Sequence, residues 1–121
     1  MAGWFELSKS SDDQYRFVLK AGNGETILTS ELYTTKGAAE KGIASVQANS
    51  PLAERYEKKT AANGKLHFNL KAANHQIIGS SQLYANEQSR ETGIASVKTN
   101  GVSQTIKIKP DNDSLSRVTP R

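Results

Sequence analysis

The sequence predicts an α+β protein in which tandem βββα repeats form one shared antiparallel sheet, with two helices on one face and a final C-terminal strand. Three observations predict this fold. The pentapeptide GIASV occurs twice, 51 residues apart. In each copy, apolar residues first alternate with other residues along short segments. Their spacing then changes to three and four residues, which is typical of a helix that packs on a sheet.

The repeat extends well beyond the pentapeptide. When the sequence is aligned with itself at an offset of 51 residues, 16 of the 37 positions from Gln14 to Ser50 are identical, without a gap. Such self-similarity indicates a duplicated structural unit. We therefore expect residues 1–109 to form a single domain of two repeats, 3–51 and 54–109.

Each copy begins with three predicted strands. In residues 14–21 and 65–72 every second side chain is apolar, which is typical of an antiparallel sheet covered on one side. Asn and Gly, which tolerate the positive φ of tight hairpins, follow or precede these segments at 22–24 and 63–64. The predicted strands are residues 3–8, 14–21, 25–29, 55–60, 65–72 and 76–80.

A helix follows the third strand of each copy. Thr35 and Asn86 are predicted N-caps, because each side-chain oxygen can accept a hydrogen bond from the first turn. GIASV supplies the sheet-facing residues: its glycine allows close approach to the strands, and its isoleucine and valine fill the space. Ser45 and Ser96 lie off this apolar face. The helices end near residues 49 and 100.

The last part of the chain contains one more predicted strand. Residues 105–109 alternate apolar and basic side chains, and Pro110 ends the pattern. Residues 110–121 are polar and lack periodicity, so we expect a disordered tail.

Composition limits the possible functions. The 121 residues include no cysteine, which excludes a disulfide framework, a thiolate metal site and a cysteine nucleophile. No apolar run approaches the ~20 residues needed to cross a bilayer, and no basic segment followed by an apolar one begins the chain. We therefore expect a cytoplasmic protein without a membrane partner.

The net charge of +4 is unevenly distributed. Residues 1–51 carry 5 basic and 6 acidic side chains, residues 52–103 carry 7 and 4, and residues 104–121 carry 4 and 2. The excess lies in the second half and the tail. It is interpreted either as ordinary solubilising charge or as part of a surface that binds an anionic partner.

The repeated pattern F-x-L-K-A-x-N, I-x-x-S-x-L-Y and G-I-A-S-V-x-x-N resembles the YegP-like family, small bacterial proteins of unassigned function built from tandem βββαβ repeats. The similarity covers residues 3–109. It implies that the two units share one sheet and that each C-terminal strand crosses to the partner unit. The segment from Ala53 to Thr60 would then close the first unit and open the second. The resemblance supplies no catalytic residues.

Catalytic or metal-binding patterns are absent from the sequence. His67 and His75 are the only histidines, and neither cysteine nor a carboxylate triad accompanies them. The Gly-rich segment 22–24 leads into a strand, so it fits a hairpin turn and not a phosphate-binding loop. No spacing suggests a nucleophile with its base. We predict that the protein is not an enzyme and uses no metal or cofactor.

Our leading functional hypothesis is a small binding or interaction protein, monomeric with pseudo-two-fold symmetry, whose ligand is unassigned. Polar residues identical in both copies are its candidate contacts: Lys20 and Lys71, Asn23 and Asn74, Ser30 and Ser81. In the other interpretation the asparagines and serines serve turns and only the lysine pair is free.

The alternative hypothesis is single-stranded nucleic-acid binding through the sheet face away from the helices. Strand alternation predicts that this face carries Arg16, Val18, Lys20, His67, Asn69, Lys71, Lys107 and Lys109, with Trp4 near its edge. A basic sheet face can contact phosphates and stack bases, although stacking surfaces usually hold several aromatics. A merely solvated face is the other interpretation. Tyr33 and Tyr84 are predicted to anchor the loop before each helix.

Overall fold

The computed structural model of the protein describes residues 3–10 and 12–109, so the predicted disordered tail 110–121 lies outside the described residues. Seven strands and two α-helices occur within these ranges. They are β1 (Trp4–Lys9), β2 (Tyr15–Lys20), β3 (Thr26–Ser30), α1 (Lys36–Asn49), β4 (Tyr56–Thr60), β5 (Leu66–Lys71), β6 (Ile77–Ser80), α2 (Glu87–Asn100) and β7 (Ile106–Ile108). A short 3₁₀-helix, Ala53–Arg55, precedes β4.

All seven strands form one sheet in the order β4-β5-β6-β3-β2-β1-β7. The two repeats meet where β3 pairs with β6, and there Thr29 lies opposite Ser80. These two residues occupy the same position in the two copies, so a pseudo-two-fold axis passes between them. The predicted α+β fold, with one sheet shared by two tandem βββα repeats, is confirmed.

The sheet is mixed, whereas the sequence predicted an antiparallel one. Five neighbouring strand pairs are antiparallel, but β7 runs parallel to β1, with Phe5 opposite Ile106 and Leu7 opposite Ile108. Parallel pairing needs a long connection, which the second repeat provides. Because β7 follows α2 and pairs with the first strand of the first repeat, the crossing implied by the family resemblance is present. The strand predicted near 53–60 is β4, which follows α1 and pairs with β5.

One hydrophobic core fills the space between the sheet and the two helices. Its largest members are Phe5, Phe17 and Phe68, which are fully buried. Both helices lie on the same face, because α1 contacts β2, β5 and β6 while α2 contacts β5, β3 and β2. Each helix therefore covers strands from both repeats, which joins the two halves into one folding unit.

A tyrosine from the loop before each helix completes this core. Tyr33 stacks on Phe17 with the ring centroids 6.2 Å apart, and Tyr84 stacks on Phe68 at 6.3 Å. Both tyrosines are partly buried against the core, as predicted for loop anchors. Stacked aromatic pairs of this kind add about 0.5–1.5 kcal/mol beyond their area of burial.

The repeated GIASV segment packs as predicted. Its isoleucines and valines, at positions 43, 46, 94 and 97, are buried in the core. A Cβ added at Gly42 would lie 2.5 Å from the Tyr33 hydroxyl oxygen and 2.9 Å from a ring carbon of Phe17, and one at Gly93 would meet the Tyr84 hydroxyl. The missing side chain is thus what lets each helix lie against its tyrosine.

The predicted N-caps are confirmed. The side-chain oxygen of Thr35 accepts a hydrogen bond from the Ala38 N–H at 3.0 Å, and that of Asn86 accepts one from the Ser89 N–H at 2.8 Å. Each cap satisfies a first-turn donor that has no partner within the helix.

The two asparagines at the helix C-termini do more than end the helices. The amides of Asn49 and Asn100 donate to the carbonyl four residues earlier, in both cases at 2.8 Å. The side-chain oxygen of Asn49 accepts from Arg55 Nε at 2.8 Å, and that of Asn100 accepts from the Gly3 N–H at 2.9 Å. Each asparagine therefore ties a helix end to the segment that enters the first strand of a repeat, β4 for Asn49 and β1 for Asn100.

The glycine contacts lead to the first prediction. Gly42→Ala should destabilise the fold by about 1–3 kcal/mol, because the methyl group must displace Tyr33 or Phe17 in a packed core. Gly37→Ala is the matched control in the same helix, because an added Cβ there meets nothing within 4 Å. It should stabilise by about 0.5–1 kcal/mol through helix propensity. Urea unfolding measures both, and equal effects would contradict the packing role of Gly42.

The second prediction concerns alkaline pH. Burial raises the pKa of the Tyr56 hydroxyl well above its ordinary value of 10.0, and this hydroxyl donates to the Ser50 carbonyl at 2.7 Å. Above about pH 10 the unfolded chain loses this proton while the native state keeps it, so the free energy of unfolding should fall as the pH rises further. Tyr56→Phe should reduce that fall and cost about 1 kcal/mol at neutral pH for the lost hydrogen bond. Unfolding curves from about pH 8 to pH 11 test this; identical alkaline slopes in the two proteins would contradict it.

Candidate binding face

The sheet surface opposite the helices, called here the open face, is built by strand alternation. Residues that lie opposite one another in neighbouring strands point to the same side, and the register therefore defines the surface. Its members are Trp4, Glu6, Ser8, Arg16, Val18, Lys20, Thr29, Glu57, Lys59, His67, Asn69, Lys71, Ser80, Lys107 and Lys109. All eight residues predicted for this face lie on it, together with Trp4.

The open face carries the excess positive charge of the protein. Its charged residues are six basic ones and two acidic ones: Arg16, Lys20, Lys59, Lys71, Lys107, Lys109, Glu6 and Glu57. The other described residues hold eight basic and eight acidic side chains, and residues 110–121 hold two of each in sequence. The net charge of +4 is thus concentrated on one side of the molecule.

Glu6 organises the end of the open face near β7. Its carboxylate accepts a hydrogen bond from Trp4 Nε1 at 2.8 Å and pairs with Lys109 Nζ at 3.4 Å. The hydrogen bond from Trp4, followed by Lys109, holds the pKa of Glu6 below its usual value. Lys107 Nζ lies 4.2 Å from the centre of the Trp4 ring, within the range of a cation–π contact.

Glu57 organises the opposite end of the face in the same way. It pairs with Lys71 Nζ at 3.1 Å and accepts from the Asn69 amide at 3.2 Å, and Ser80 in turn donates to the Asn69 oxygen at 2.7 Å. The hydrogen bonds from Lys71 and then Asn69 lower the pKa of Glu57. Glu6 and Glu57 are equivalent positions of the two repeats, so each half of the sheet holds one carboxylate among its lysines.

Sequence reasoning missed these two carboxylates. It placed the lysines on the face correctly but considered only the basic side chains there. The signal was present, because Glu6 follows Trp4 by two residues within a predicted strand and Glu57 lies 51 residues further along.

The structure separates the predicted basic contacts into two groups. Lys71, Lys107 and Lys109 are engaged with Glu57, the Trp4 ring and Glu6 respectively. Arg16 and Lys20 on β2, by contrast, form no ion pair within 4.0 Å of a described carboxylate, although the charge of Lys20 contributes to the lowered pKa of Glu6. The lysine pair Lys20 and Lys71, equivalent by sequence, is therefore not equivalent in its contacts.

The predicted asparagine contacts sit in hairpin turns away from these lysines. Asn23 accepts from the Glu25 N–H at 3.0 Å, and Asn74 accepts from the Gln76 N–H, also at 3.0 Å. Side-chain hydrogen bonds to the backbone two residues on are typical of asparagine in turns. These contacts use the side-chain oxygen and leave each NH₂ group available.

The predicted serine contacts brace the strands. Ser30 Oγ accepts from the Phe17 N–H at 2.9 Å and donates to the Glu31 carbonyl at 2.7 Å. Ser81 makes the same two contacts with Phe68 and Gln82 at 2.9 and 2.8 Å. Both serines thus serve the backbone, which favours the structural interpretation over ligand binding for this pair.

Residues 3–10 and 12–109 contain no group of three histidine, cysteine, aspartate or glutamate side chains arranged to hold a metal ion. His67 lies on the open face, whereas His75 occupies a hairpin turn with a φ of 70°. Neither of the two helices in this part of the chain is long and apolar enough to cross a membrane.

Comparison with known proteins gives consistent matches over nearly all of this structure. The family described as "Domain of unknown function (DUF1508)" matches residues 10–57 and again residues 61–107, so the chain contains two copies of it. The UPF0339 protein YegP of Escherichia coli (strain K12) is 83% identical over 107 residues, 88% of this chain and 97% of that protein.

Two solved structures have the same fold. The solution NMR structure of yegP from E. coli, a protein of unknown function, matches with a TM-score of 0.86 and 81% identity, covering 91% of this chain and 95% of that one. The NMR structure of a UPF0339 protein from Shewanella oneidensis matches with a TM-score of 0.85 and 63% identity, covering 91% and 93%.

The two carboxylates of the open face generate a third prediction. Because both pKa values lie below the ordinary 4.5, the ionised carboxylates stabilise the native state above that pH, and this stabilisation is lost as the pH falls through and below it. The double variant Glu6→Gln, Glu57→Gln should therefore lose less stability than the wild type between about pH 5 and pH 3. Urea unfolding at each pH measures the difference. If the free energy of unfolding falls equally with decreasing pH in the two proteins, the Glu6 and Glu57 networks add no stability.

Proposed function

The chain belongs to the DUF1508 family, and from that premise we propose that it is a non-catalytic binding protein whose open face binds single-stranded nucleic acid. The matches to YegP proteins confirm the family resemblance of the repeated motifs. The observation that supports the proposal is the segregation of charge, with the whole excess of positive side chains on one sheet face. Clustered basic residues on a single face are the expected electrostatic feature of a surface that binds a polyanion.

The arrangement of side chains favours a single strand over a duplex. The surface is one broad sheet face, whereas a helix or a two-stranded ribbon is what enters the major groove of DNA. Arg16 and Lys20 on β2 and the exposed Lys59 on β4 offer charges to phosphates. Trp4 offers one aromatic ring, so a base can stack there while the rest of the attraction is independent of sequence.

The two carboxylates set the orientation of neighbouring lysines. Glu6 holds Lys109 and Glu57 holds Lys71, which keeps both ammonium groups on the sheet surface instead of extended into solvent. This order lowers the entropy that these side chains lose when a ligand binds. It also reduces the net attraction to phosphate, so we expect moderate affinity that depends strongly on salt.

Three further features belong to this proposed function: the protein has no catalytic site, acts as a monomer and is cytoplasmic. Polar residues that are identical in both copies hold turns and strands, as Asn23 and Ser30 do, and are not grouped as a nucleophile beside a base. We propose that the protein acts as a monomer, because the tandem pair already supplies the two halves of the sheet. We propose a cytoplasmic location, because a chain without cysteine has no disulfide that the reducing conditions there would break.

The fourth prediction tests this function with labelled single-stranded oligonucleotides. Arg16→Gln with Lys20→Gln should weaken binding at about 50 mM salt and reduce the log–log salt slope by about 1.4, since each phosphate contact contributes about 0.7. Lys36→Gln with Lys41→Gln is the matched control, because it removes the same charge from exposed positions of α1 on the opposite side. Fluorescence anisotropy at several salt concentrations measures all three proteins.

The carboxylate variant provides the reverse test. Glu6→Gln with Glu57→Gln should strengthen binding, because it releases Lys109 and Lys71 and raises the charge of the face. The proposal fails if the wild type does not bind at about 50 mM salt. It also fails if the α1 control weakens binding as much as the β2 variant, because charge alone, without a defined surface, would then explain the affinity.

A further inference from the structure

Two clefts lie on the helix side of the sheet, where a hairpin of one repeat faces the helix of the other. The Tyr33 cleft, of about 690 Å³, is bounded by α1 and the β5–β6 hairpin. The Tyr84 cleft, of about 560 Å³, is bounded by α2 and the β2–β3 hairpin. Both volumes lie within the range of small-molecule sites in proteins. Each cleft exists only because the two repeats pack together.

The two clefts are equivalent under the pseudo-two-fold axis. Ten positions line both of them, and six of these hold the same residue in each copy, a larger share than in the aligned repeats as a whole. The six identical pairs are Ala21 and Ala72, Asn23 and Asn74, Ile27 and Ile78, Tyr33 and Tyr84, Gly42 and Gly93, Ser45 and Ser96. Packing explains the alanines, glycines and isoleucines, but it leaves hydrogen-bond donors of the asparagines, tyrosines and serines without a partner.

Each cleft offers three unused hydrogen-bond donors. Neither tyrosine hydroxyl, on Tyr33 or Tyr84, forms a hydrogen bond with any described residue. The asparagine of each hairpin uses its oxygen in the turn and keeps its NH₂ group free. Ser45 and Ser96 each accept a bond from the asparagine four residues later at 3.2 Å, which leaves the hydroxyl proton available.

The other lining groups select the chemical class of ligand. Glu25 borders the Tyr84 cleft, and Glu31 borders the Tyr33 cleft together with Lys41, so each site also has a carboxylate acceptor and neither has an excess of positive charge. Burial, followed by the charge of Glu31, raises the pKa of Tyr33, so its hydroxyl stays protonated at neutral pH. The half-buried alanine of each cleft, Ala21 or Ala72, adds an apolar contact. The ligand should be uncharged, rich in hydroxyl groups, and apolar on one ring face.

We propose that the paired clefts bind neutral saccharides, one in each cleft, at a site separate from the open face. The tyrosine hydroxyl, the asparagine NH₂ and the serine hydroxyl donate to sugar oxygens, and the carboxylate accepts from sugar hydroxyls. The alanine packs against the ring carbons. This inference is independent of the nucleic-acid proposal, because none of these groups belongs to the open face.

The fifth prediction is tested by NMR titration of the full chain with glucose, N-acetylglucosamine and maltose. Backbone amide shifts should change around both clefts and not on the open face, with Kd values of about 1–20 mM, as expected for a few hydrogen bonds in a wide cleft. Glucuronate should bind more weakly than glucose in the Tyr84 cleft because of Glu25, whereas in the Tyr33 cleft Lys41 offsets the charge of Glu31. Absence of shifts at about 100 mM sugar, which is well above these Kd values, would overturn the proposal.

Two matched variants identify the contacts. Tyr84→Phe removes one hydroxyl and keeps the ring on Phe68, so it should weaken binding in its own cleft about 5-fold, the equivalent of about 1 kcal/mol, and leave the Tyr33 cleft unchanged. Tyr33→Phe should do the reverse. Unchanged affinity in both variants, or binding confined to one cleft in the wild type, would refute paired sites. Arg16→Gln with Lys20→Gln should bind sugar normally, so failure of one proposal is distinguishable from failure of the other.

Discussion

The close contact of a loop tyrosine with a helix glycine is the constraint on which most of this structure depends. Tyr33 lies between the ring of Phe17 on the sheet and Gly42 on the helix, and Tyr84 lies in the same way between Phe68 and Gly93. This contact sets the distance from helix to sheet, and with it the depth at which the isoleucines and valines enter the core. It also explains why duplication preserved GIASV together with the tyrosine, although many exposed positions of the two copies differ. If a helix lay further from the sheet by the width of one methyl group, the core would be less densely packed.

The contacts of the two repeats agree more closely on the helix side of the sheet than on the open face, because only the helix side is covered. On the helix side, equivalent residues of the two copies make the same kinds of contact: N-caps, stacked aromatic rings, and hydrogen bonds of the asparagines at the helix ends. On the open face the equivalence holds for Glu6 and Glu57 but not for their partners, since Trp4 and Lys109 serve one carboxylate while Asn69 and Lys71 serve the other. Packing has thus kept the tyrosine, phenylalanine and GIASV contacts alike in the two copies, whereas the contacts of the open face have diverged.

The sequence was sufficient to predict the elements and the N-caps, because these depend on periodicity and on local hydrogen bonding, and the family resemblance added the shared sheet. It could not predict the direction of β7, since five alternating residues fit either side of an edge strand in either orientation. The paired carboxylates could have been found from strand phase, as noted for Glu6. The clefts could not, because each combines a hairpin with a helix that comes from the other repeat, and such neighbours are set by tertiary packing. The predicted serine contacts illustrate the same limit: a residue retained in both copies can serve the backbone, as Ser30 does.

The pairing of β7 with β1 has a consequence for how the chain folds during synthesis. The outer edge of β1 receives its partner only from Ile106–Ile108, nearly the full length of the described chain away, and the Gly3 N–H finds its acceptor on Asn100. While the polypeptide emerges from the ribosome, both edges of the three-stranded sheet of the first repeat are therefore unpaired, because β3 pairs with β6 and β1 with β7, and α2 does not yet cover the sheet. Contacts of such high sequence separation form late and slow the final folding step. Until β7 pairs with it, the edge of β1 is available for association with other nascent chains.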